Sequence, residues 1–538
     1  MDESKPLLLP PAPPPDSTQS DGDNEGSRYK VTETFAGRRM WRARLPGGRV
    51  VVVDVAELAD WWRLTWTTGF SQLLRSSPPF IDIAFLGHLG TEELAAASAA
   101  NVLVSMTSMW LWAGQEEVIS TLTSQAVGHK NHRLAGTWLQ MAAAVSLVLG
   151  LPVAVTWVFS DAILTGVGFG PASMTAAAQV FSRWFLLTLA PLLLFSAASA
   201  WLNAVGHTSV VVGSNVAGVA ASIGANYLLI WGTTSSGGSW PGLGFIGSPI
   251  SSGIAGVVAL TTCVVWVRAR GLLGAGWPGL CPPELRRSRN WSHYLGQALP
   301  NFLGAALETL QIQIMSTLAA RVGEAQLATH NAMLSLYMVI TCFMFGAIRA
   351  TTLTVGRSLG ARSITLAKQH MWVCVAAQTA LGVVTAAVLY GGRDAIPRLF
   401  SDDPDVWRYG AEIMGPVAAS LLLYSVMFSA IGVLLGQGRP GIVAACVFVG
   451  NWTVAVPLAF LLAHYTDLGL IGIWIALLVG YAVVTAATLA ALLRSDWQAA
   501  VLAAVERSRH EDEAADTDAA ATTTIAAVVA GELHPLLP

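Results

Sequence analysis

Two carboxylates, Asp82 and Glu308, lie inside apolar stretches of the chain. Asp82 stands in the segment PPFIDIAFL, and Glu308 stands in LPNFLGAALETLQIQIM. An ionisable side chain within a lipid bilayer costs on the order of 3 kcal/mol by insertion scales, so such residues are typically functional. Burial disfavours the charged form of a carboxylate, which can then exchange protons, whereas an ionised carboxylate beside free carbonyl groups can hold Na⁺. Both residues are therefore predicted to exchange H⁺ or Na⁺.

The surroundings of Asp82 leave a structural alternative open. Pro78 and Pro79 each remove a backbone donor and predict a break in the helix, which frees carbonyl groups beside the carboxylate. A broken membrane helix next to a carboxylate is typical of the ion sites of secondary transporters. Arg75 lies seven positions before Asp82, on the same face of an unbroken helix, so the alternative is a permanent ion pair.

Glu308 belongs to a polar stripe. Tyr294, Asn301 and Glu308 recur at intervals of seven residues, and Gln311 follows three residues later. Side chains at these spacings share one helix face. A polar stripe in an apolar span is expected to face a cavity rather than lipid, and hydrogen bonding between packed helices is the alternative.

Further polar residues in apolar segments are candidates for lining the same cavity or for bonding between helices, and the sequence leaves both interpretations open. They are Asn203, Asn215, Asn226 and Asn451, and Gln313 and Tyr424 are also predicted to line the cavity. Glu116 and Glu117 differ, because they fall near the predicted cytosolic end of a span at 94–118. They are expected to be solvated there.

The composition indicates a membrane protein without catalytic chemistry. The 538 residues are 54% hydrophobic and 12% charged, with a mean hydropathy of +0.55. A net charge of −3 gives no indication of nucleic-acid binding, and five cysteines without CxxC spacing predict neither disulfides nor a metal site. No catalytic residue or cofactor is predicted, since a membrane-embedded enzyme, the alternative of a different class, would need several convergent carboxylates or histidines.

Twelve apolar segments approach the twenty residues that span a bilayer, among them 61–86, 94–118, 293–318 and 327–349. Basic residues concentrate in the loops after even-numbered segments, which predicts that both termini are cytosolic. The predicted fold is an all-α polytopic membrane protein, with twelve transmembrane helices in two six-helix bundles related by pseudo-twofold symmetry and a cavity between them. The predicted domains are a disordered cytosolic tail (1–56), two bundles (57–269 and 293–495), a cytosolic linker between them (270–292), and a second disordered cytosolic tail (496–538).

An internal repeat relates the two predicted bundles. The segment LGHLGTEELAAAS at 86–98 corresponds to AARVGEAQLATHN at 319–331, and SQAVGHKNHRLA at 124–135 corresponds to GRSLGARSITLA at 356–367. The offsets are 233 residues (86 to 319) and 232 residues (124 to 356). Two matches at nearly the same offset indicate one duplicated unit.

These motifs carry a resemblance to a known family. The segment IDIAFLGHLGTEELAA, the pair Pro300 and Glu308, and the segments VGEAQLATHN and VGRSLGA resemble, in this order, the signatures of the MATE (multidrug and toxic compound extrusion) transporters. The NorM-like and DinF-like branch is the most similar. The resemblance implies a monomeric antiporter that exports small organic solutes, such as drugs, toxins or metabolites, from the cytosol in exchange for H⁺ or Na⁺. A lipid or glycolipid flippase of the same superfamily is the alternative.

The resemblance also bears on individual residues. Many family members carry a carboxylate at the place of Glu308. Gln313 stands where eukaryotic members often have a second carboxylate, and Tyr424 stands about where NorM-like proteins place another. Two charges of the family pattern are therefore missing from this chain.

Each end of the chain contains an acid four residues before a dileucine, at 3–8 and at 532–537. Both resemble acidic dileucine sorting signals, which are receptor-read addresses. They predict a vacuolar or lysosomal membrane, with the plasma membrane as the alternative.

Overall fold

The computed structural model describes residues 29–35, 38–44, 50–168, 171–232, 239–272, 277–401 and 403–507. The chain divides into two compact units, Met1–Ala56 and Glu57–Pro538. Both dileucine motifs lie outside the described residues.

The first unit contains a three-stranded antiparallel sheet with the strand order β1-β2-β3. The strands are β1 (Tyr29–Phe35), β2 (Arg38–Arg44) and β3 (Val50–Asp54). Residues 1–56 are predicted from composition to be a disordered tail, and the strands differ from that prediction. The physical reason is local, because aromatic and β-branched residues such as the run Val50–Val53 favour strands.

The second unit is helical, and its first helix begins at Val55, two residues before the boundary. Its helices are α1 (Val55–Ser76), α2 (Pro78–Leu86), α3 (Thr91–Gly128), α4 (His132–Val158), α5 (Ser160–Val167), α6 (Ala172–Val205), α7 (Thr208–Asn226), α8 (Gly247–Ala269), α9 (Ser288–Val322), α10 (Glu324–Gly360), α11 (Ile364–Gly391), α12 (Pro404–Gly436), α13 (Pro440–Val447), α14 (Val456–His464) and α15 (Gly469–Leu493). Two π-helical turns, Tyr227–Trp231 and Phe448–Ala455, extend α7 and join α13 to α14. Such turns often occur at functional sites.

The helices form twelve membrane spans in two six-helix bundles, as the sequence predicts. Among the described residues, ten helices are long and apolar enough to cross a membrane. The other two spans are α1 with α2, and α9, which contain more polar residues and carry Asp82 and Glu308. The helix is interrupted at Ser77, where Pro78 and Pro79 begin α2, as the prolines predict.

Each bundle has its own apolar core. One core joins α3, α4, α6, α7 and α8, and the other joins α10, α11, α12, α14 and α15. The helix α9 takes part in both, because Tyr294 near its beginning packs in the first core and Met315 near its end packs in the second. The first span of the second bundle therefore crosses between the two halves.

The helix ends differ from the predicted spans in two places that matter for the site. The predicted segments 94–118 and 327–349 are α3 and α10, which end ten and eleven residues later, at Gly128 and Gly360. Residues 497–507 are also helical, although the sequence predicts a disordered tail from 496 onward. This helix is ordered because Ala500 and Ala504 pack with Leu492 of α15 in a small apolar cluster.

Candidate functional site

A cavity of about 680 Å³ lies between the two six-helix bundles, which are the two halves of the helical unit. Spans from both halves line it, and most of the lining side chains are apolar. Five charged side chains reach the cavity, three acidic and two basic, and they are Asp82, Glu117, Glu308, Arg75 and Arg349. Within the described ranges no group of three histidine, cysteine or acidic side chains is arranged to hold a metal ion.

Asp82 is buried at 2% exposure, and both of its carboxylate oxygens accept hydrogen bonds. Asn226 at the end of α7 donates through Nδ2 to Oδ1 at 2.9 Å, and Ser252 in α8 donates through Oγ to Oδ2 at 2.7 Å. Two polar side chains from neighbouring helices thus hold the carboxylate at the cavity wall. Asn226 lies behind the carboxylate, and Asp82 itself lines the cavity.

Arg75 is not the partner of Asp82, so the ion-pair alternative raised from the sequence is wrong. Its guanidinium pairs with Glu116 of α3 and stacks on Trp112 at 4.2 Å from the ring centroid. The helix is interrupted at Ser77, between Arg75 and Asp82, so the spacing of seven does not align their side chains.

Glu308 lies on the opposite side of the cavity, in α9, among aromatic rings. The hydroxyl of Tyr424 donates to its Oε1 at 3.1 Å. The Tyr424 ring in turn contacts the rings of Phe428, Tyr481 and Tyr337 at centroid distances of 4.0, 5.3 and 5.5 Å. Sequence reasoning did not identify Tyr337 or Tyr481, because their spacing gives no periodic signal in common with Glu308.

The other residues of the predicted stripe in α9 lie in different surroundings. Asn301 lines the cavity, and its Nδ2 donates to the Gln297 carbonyl of the same helix at 2.9 Å. Tyr294 is buried and stacks on Trp138 of α4 at a centroid distance of 6.4 Å. Gln311 is fully buried.

Three further predicted cavity residues lie outside its lining. Gln313 is partly exposed in α9. Asn203 lines a smaller pocket next to Arg75, Glu116 and Arg349. Asn451 is buried in the π-helical turn Phe448–Ala455. Their roles remain predictions.

An ionic cluster lies at the base of the cavity, and the sequence interpretation of its acidic members was wrong. Glu116 and Glu117 are expected from the sequence to be solvated, yet their side chains are only 3% and 17% exposed. Glu116 pairs with both Arg75 and Arg349 and accepts a hydrogen bond from Ser196 Oγ at 3.1 Å. Glu116 lies twelve residues before the end of α3, about 18 Å along the axis at 1.5 Å per residue, which explains its depth.

Arg349 is a functional candidate that the sequence analysis missed. It belongs to α10 of the second half and reaches Glu116 and Glu117 of α3 in the first half. A basic residue in the apolar run CFMFGAIRATT was the signal that could have revealed it. The predicted span ends at 349, whereas α10 continues to Gly360, so Arg349 lies inside the helix rather than at its end.

The two halves are in close contact at the end where α3 and α10 finish. Gln125 Nε2 donates to the Gly436 carbonyl at 2.9 Å, and the Arg357 guanidinium donates to the carbonyls of Asn203 and Ala204 at the end of α6. Added Cβ atoms at Gly128 and Gly360 would collide with the backbone of the opposite half. These contacts close the space between the halves at this end.

Comparison with known proteins shows the same division into halves. The family model named MatE matches residues 68–228 and 300–461, one stretch in each half. Together the two stretches cover more than half of the chain.

Individual relatives are similar over most of their length. An uncharacterized transporter of Schizosaccharomyces pombe is 26% identical over 440 residues, which is 80% of this chain and 79% of that protein. The multidrug and toxin extrusion protein 1 of Mus musculus is 24% identical over 436 residues, 80% of this chain and 74% of its own. Among solved structures, the eukaryotic MATE transporter AtDTX14 matches with a TM-score of 0.78 at 19% identity, over 84% of this chain and 99% of that one. At this identity the structural likeness shows the fold.

Proposed function

This chain belongs to the MatE family of membrane transporters, and we propose that it is an antiporter that exports organic solutes from the cytosol in exchange for H⁺ or Na⁺. The family consists of multi-pass transporters and not of enzymes. We propose three properties beyond family membership: that the solute is organic, that the ion is H⁺ or Na⁺, and that the two are exchanged.

One observation supports the proposal most strongly. Each half contributes a carboxylate to the same cavity, Asp82 from the first half and Glu308 from the second. A charge within a membrane protein is expensive to keep, and such residues typically mark ion and substrate pathways. Binding of H⁺ or Na⁺ at either carboxylate changes the charge of the cavity, which can bias the balance between its two open states.

The energy available to such an exchange is adequate. A proton gradient supplies about 1.4 kcal/mol per pH unit. A membrane potential supplies about 2.3 kcal/mol per charge for each 100 mV. These values are comparable with the differences of a few kcal/mol that separate conformations of one protein.

The closed end of the cavity supports a direction of transport. The basic loops assign the ends of α3 and α10 to the cytosolic side by the positive-inside rule. In this orientation the contacts of Gln125 and Arg357 close the cavity toward the cytosol. Export then requires the halves to separate there for loading, as in alternating access.

The lipid-flippase alternative receives less support from the cavity. A flippase for anionic lipids would be expected to present uncompensated cationic side chains. Both arginines that line this cavity, Arg75 and Arg349, are paired with Glu116. We propose in addition that the transporter is a monomer of the vacuolar, lysosomal or plasma membrane.

The test is transport in proteoliposomes with an acidic interior. The parent protein is compared with Asp82→Asn and Glu308→Gln, and the readout is collapse of the pH gradient when organic cations or weak acids are added outside. Glu324→Gln is the matched control, because Glu324 is an exposed carboxylate at the beginning of α10. We expect the control to behave as the parent and at least one cavity variant to lose the collapse.

Two outcomes would contradict the proposal. A normal response in both cavity variants would exclude the carboxylates as coupling sites. If the parent responds to no solute under H⁺ or Na⁺ gradients, antiport of organic solutes is wrong and a lipid substrate becomes the better hypothesis.

A further inference from the structure

The ionic cluster at the base of the cavity is shared unequally between the halves. Arg75, Glu116 and Glu117 belong to the first half, and Arg349 alone comes from the second. The Arg349 guanidinium lies between two carboxylates, in an ion pair with Glu116 and at 3.6 Å from Oε1 of Glu117. Arg349 is 9% exposed, so its ion pairs with the two glutamates are shielded from solvent.

The charges balance only while Arg349 is present. Two glutamates and two arginines form a neutral set. When the halves separate at their closed end, Arg349 moves away with α10. Arg75 remains with Glu116, because both belong to the first half and Arg75 is held there by Gln72 Oε1 at 2.6 Å and by Trp112. The unbalanced negative charge then falls on Glu117.

Glu117 is positioned to bind a cation when it carries that charge. It lines the cavity, and in the described part of the chain its buried Oε2 has no hydrogen-bond partner. Glu308 of the opposite half lines the same cavity. Aromatic rings of Tyr424 and Phe428 also line the cavity near Glu308, and such faces attract cations.

We propose that Arg349 is a resident cation that competes with a cationic organic solute for Glu117. Arg349 occupies the carboxylates when the halves are closed at the cytosolic end, and the solute occupies Glu117 when they open there. This inference rests on the proposed export function and adds to it the residue that releases a cationic solute.

The competition has a directional consequence. Closure at the cytosolic end returns Arg349 to Glu116 and Glu117 and thereby displaces the solute cation into the part of the cavity that opens to the other side. A neutral solute would not be displaced in this way, because it does not compete for the carboxylate. The arginine supplies the same positive charge that the departing solute removes, so no carboxylate is left unpaired at the closed base.

The first test is binding of tetraethylammonium to the full-length purified protein, measured by calorimetry. We expect Arg349→Gln to bind it about tenfold more tightly than the parent, because the competitor is gone, and Glu117→Gln to bind it about tenfold less tightly. In the double variant the gain from Arg349→Gln should disappear. Arg349→Lys, which keeps the positive charge, should bind as the parent does.

A matched control separates competition from simple opening. Arg357 also joins the halves at the closed end, but it donates to backbone carbonyls and releases no carboxylate when removed. Arg357→Gln should therefore increase hydrogen–deuterium exchange in segments 118–128 and 350–360, with a clearly smaller gain in affinity than Arg349→Gln, because Arg349 still competes for Glu117 in this variant. Tetraethylammonium added to the parent should increase exchange in the same segments, whereas benzoate should not.

Several results would overturn the inference. One such result is a folded Arg349→Gln protein that binds the cation no more tightly than the parent. Another is an equal gain in cation affinity in Arg349→Gln and Arg357→Gln. If Arg349→Gln does not fold, either of two other results overturns the inference. One is unchanged binding of the cation in Glu117→Gln, and the other is hydrogen–deuterium exchange in the parent that does not respond to the cation. Failure of the parent to transport any solute would instead contradict the proposed function, whatever the variants bind.

Discussion

The two cavity carboxylates are held in different ways. Asp82 in the first half is 2% exposed, and both of its oxygens accept hydrogen bonds from an amide and a hydroxyl on neighbouring helices. Glu308 in the second half accepts a hydrogen bond from Tyr424 and lies next to aromatic rings. A duplicated unit has therefore produced one site built of small polar donors and one built of aromatic side chains.

This difference suggests separate tasks. A carboxylate surrounded by short polar side chains has room for a small ion and little apolar surface to offer a solute. A carboxylate beside several aromatic faces can bind an organic solute through both its charge and the rings. We therefore expect changes around Asp82 to alter ion coupling first, and changes around Glu308 to alter solute affinity first.

The largest effect is expected where the ionic cluster joins the two halves. Glu116→Gln leaves Arg75 and Arg349 buried beside a neutral amide. Removing one partner of a buried ion pair costs about 3–5 kcal/mol, so the free energy of unfolding should fall by about that amount. Titration of the purified protein with a denaturing detergent measures it, with Glu324→Gln as the exposed control. A loss no greater than that of the control would show that the cluster does not stabilise the closed halves.

A smaller effect is expected at the Asp82 site. Asn226→Leu removes the donor to Oδ1 of Asp82 and leaves a buried acceptor unpaired, which costs about 1–3 kcal/mol. We expect a corresponding loss of stability and a changed dependence of transport on the H⁺ or Na⁺ gradient, with the KM for the solute unchanged. A change in KM alone would contradict the division of tasks.

The smallest effect is expected at the Glu308 site. Tyr424→Phe keeps the ring among Phe428, Tyr481 and Tyr337 and removes only the hydroxyl that donates to Glu308. A single hydrogen bond contributes about 1 kcal/mol, which corresponds to a change of about fivefold in KM for the solute. Transport rates over a range of solute concentrations measure this. Tyr481→Phe, which removes a hydroxyl from a neighbouring ring, is the matched control. An altered ion dependence with an unchanged KM would assign Glu308 to ion coupling, contrary to the expected division of tasks.

Sequence reasoning identified the spans and the two carboxylates, because an acidic residue in an apolar run is visible without knowing its neighbours. It wrongly predicted that Glu116 is solvated, because hydropathy does not show what covers a polar residue. The apolar run at 94–118 ends before the helix does, and α3 continues through the polar residues up to Gly128, where it packs against α10 of the other half. Polar residues in that part of the helix are covered by the opposite bundle rather than by water, and hydropathy cannot distinguish these cases.

The sequence by itself determined the class of this protein: a duplicated set of apolar spans, a carboxylate near the beginning of each set, and a helix interrupted by Pro78 and Pro79. These features are local, since they follow from residue type and spacing along one helix. Only the tertiary structure decided the partners. Arg75 pairs with Glu116, 41 positions away, and Arg349 reaches the same carboxylate from the other half. Such pairings depend on how two bundles pack together, and no spacing within one helix encodes that.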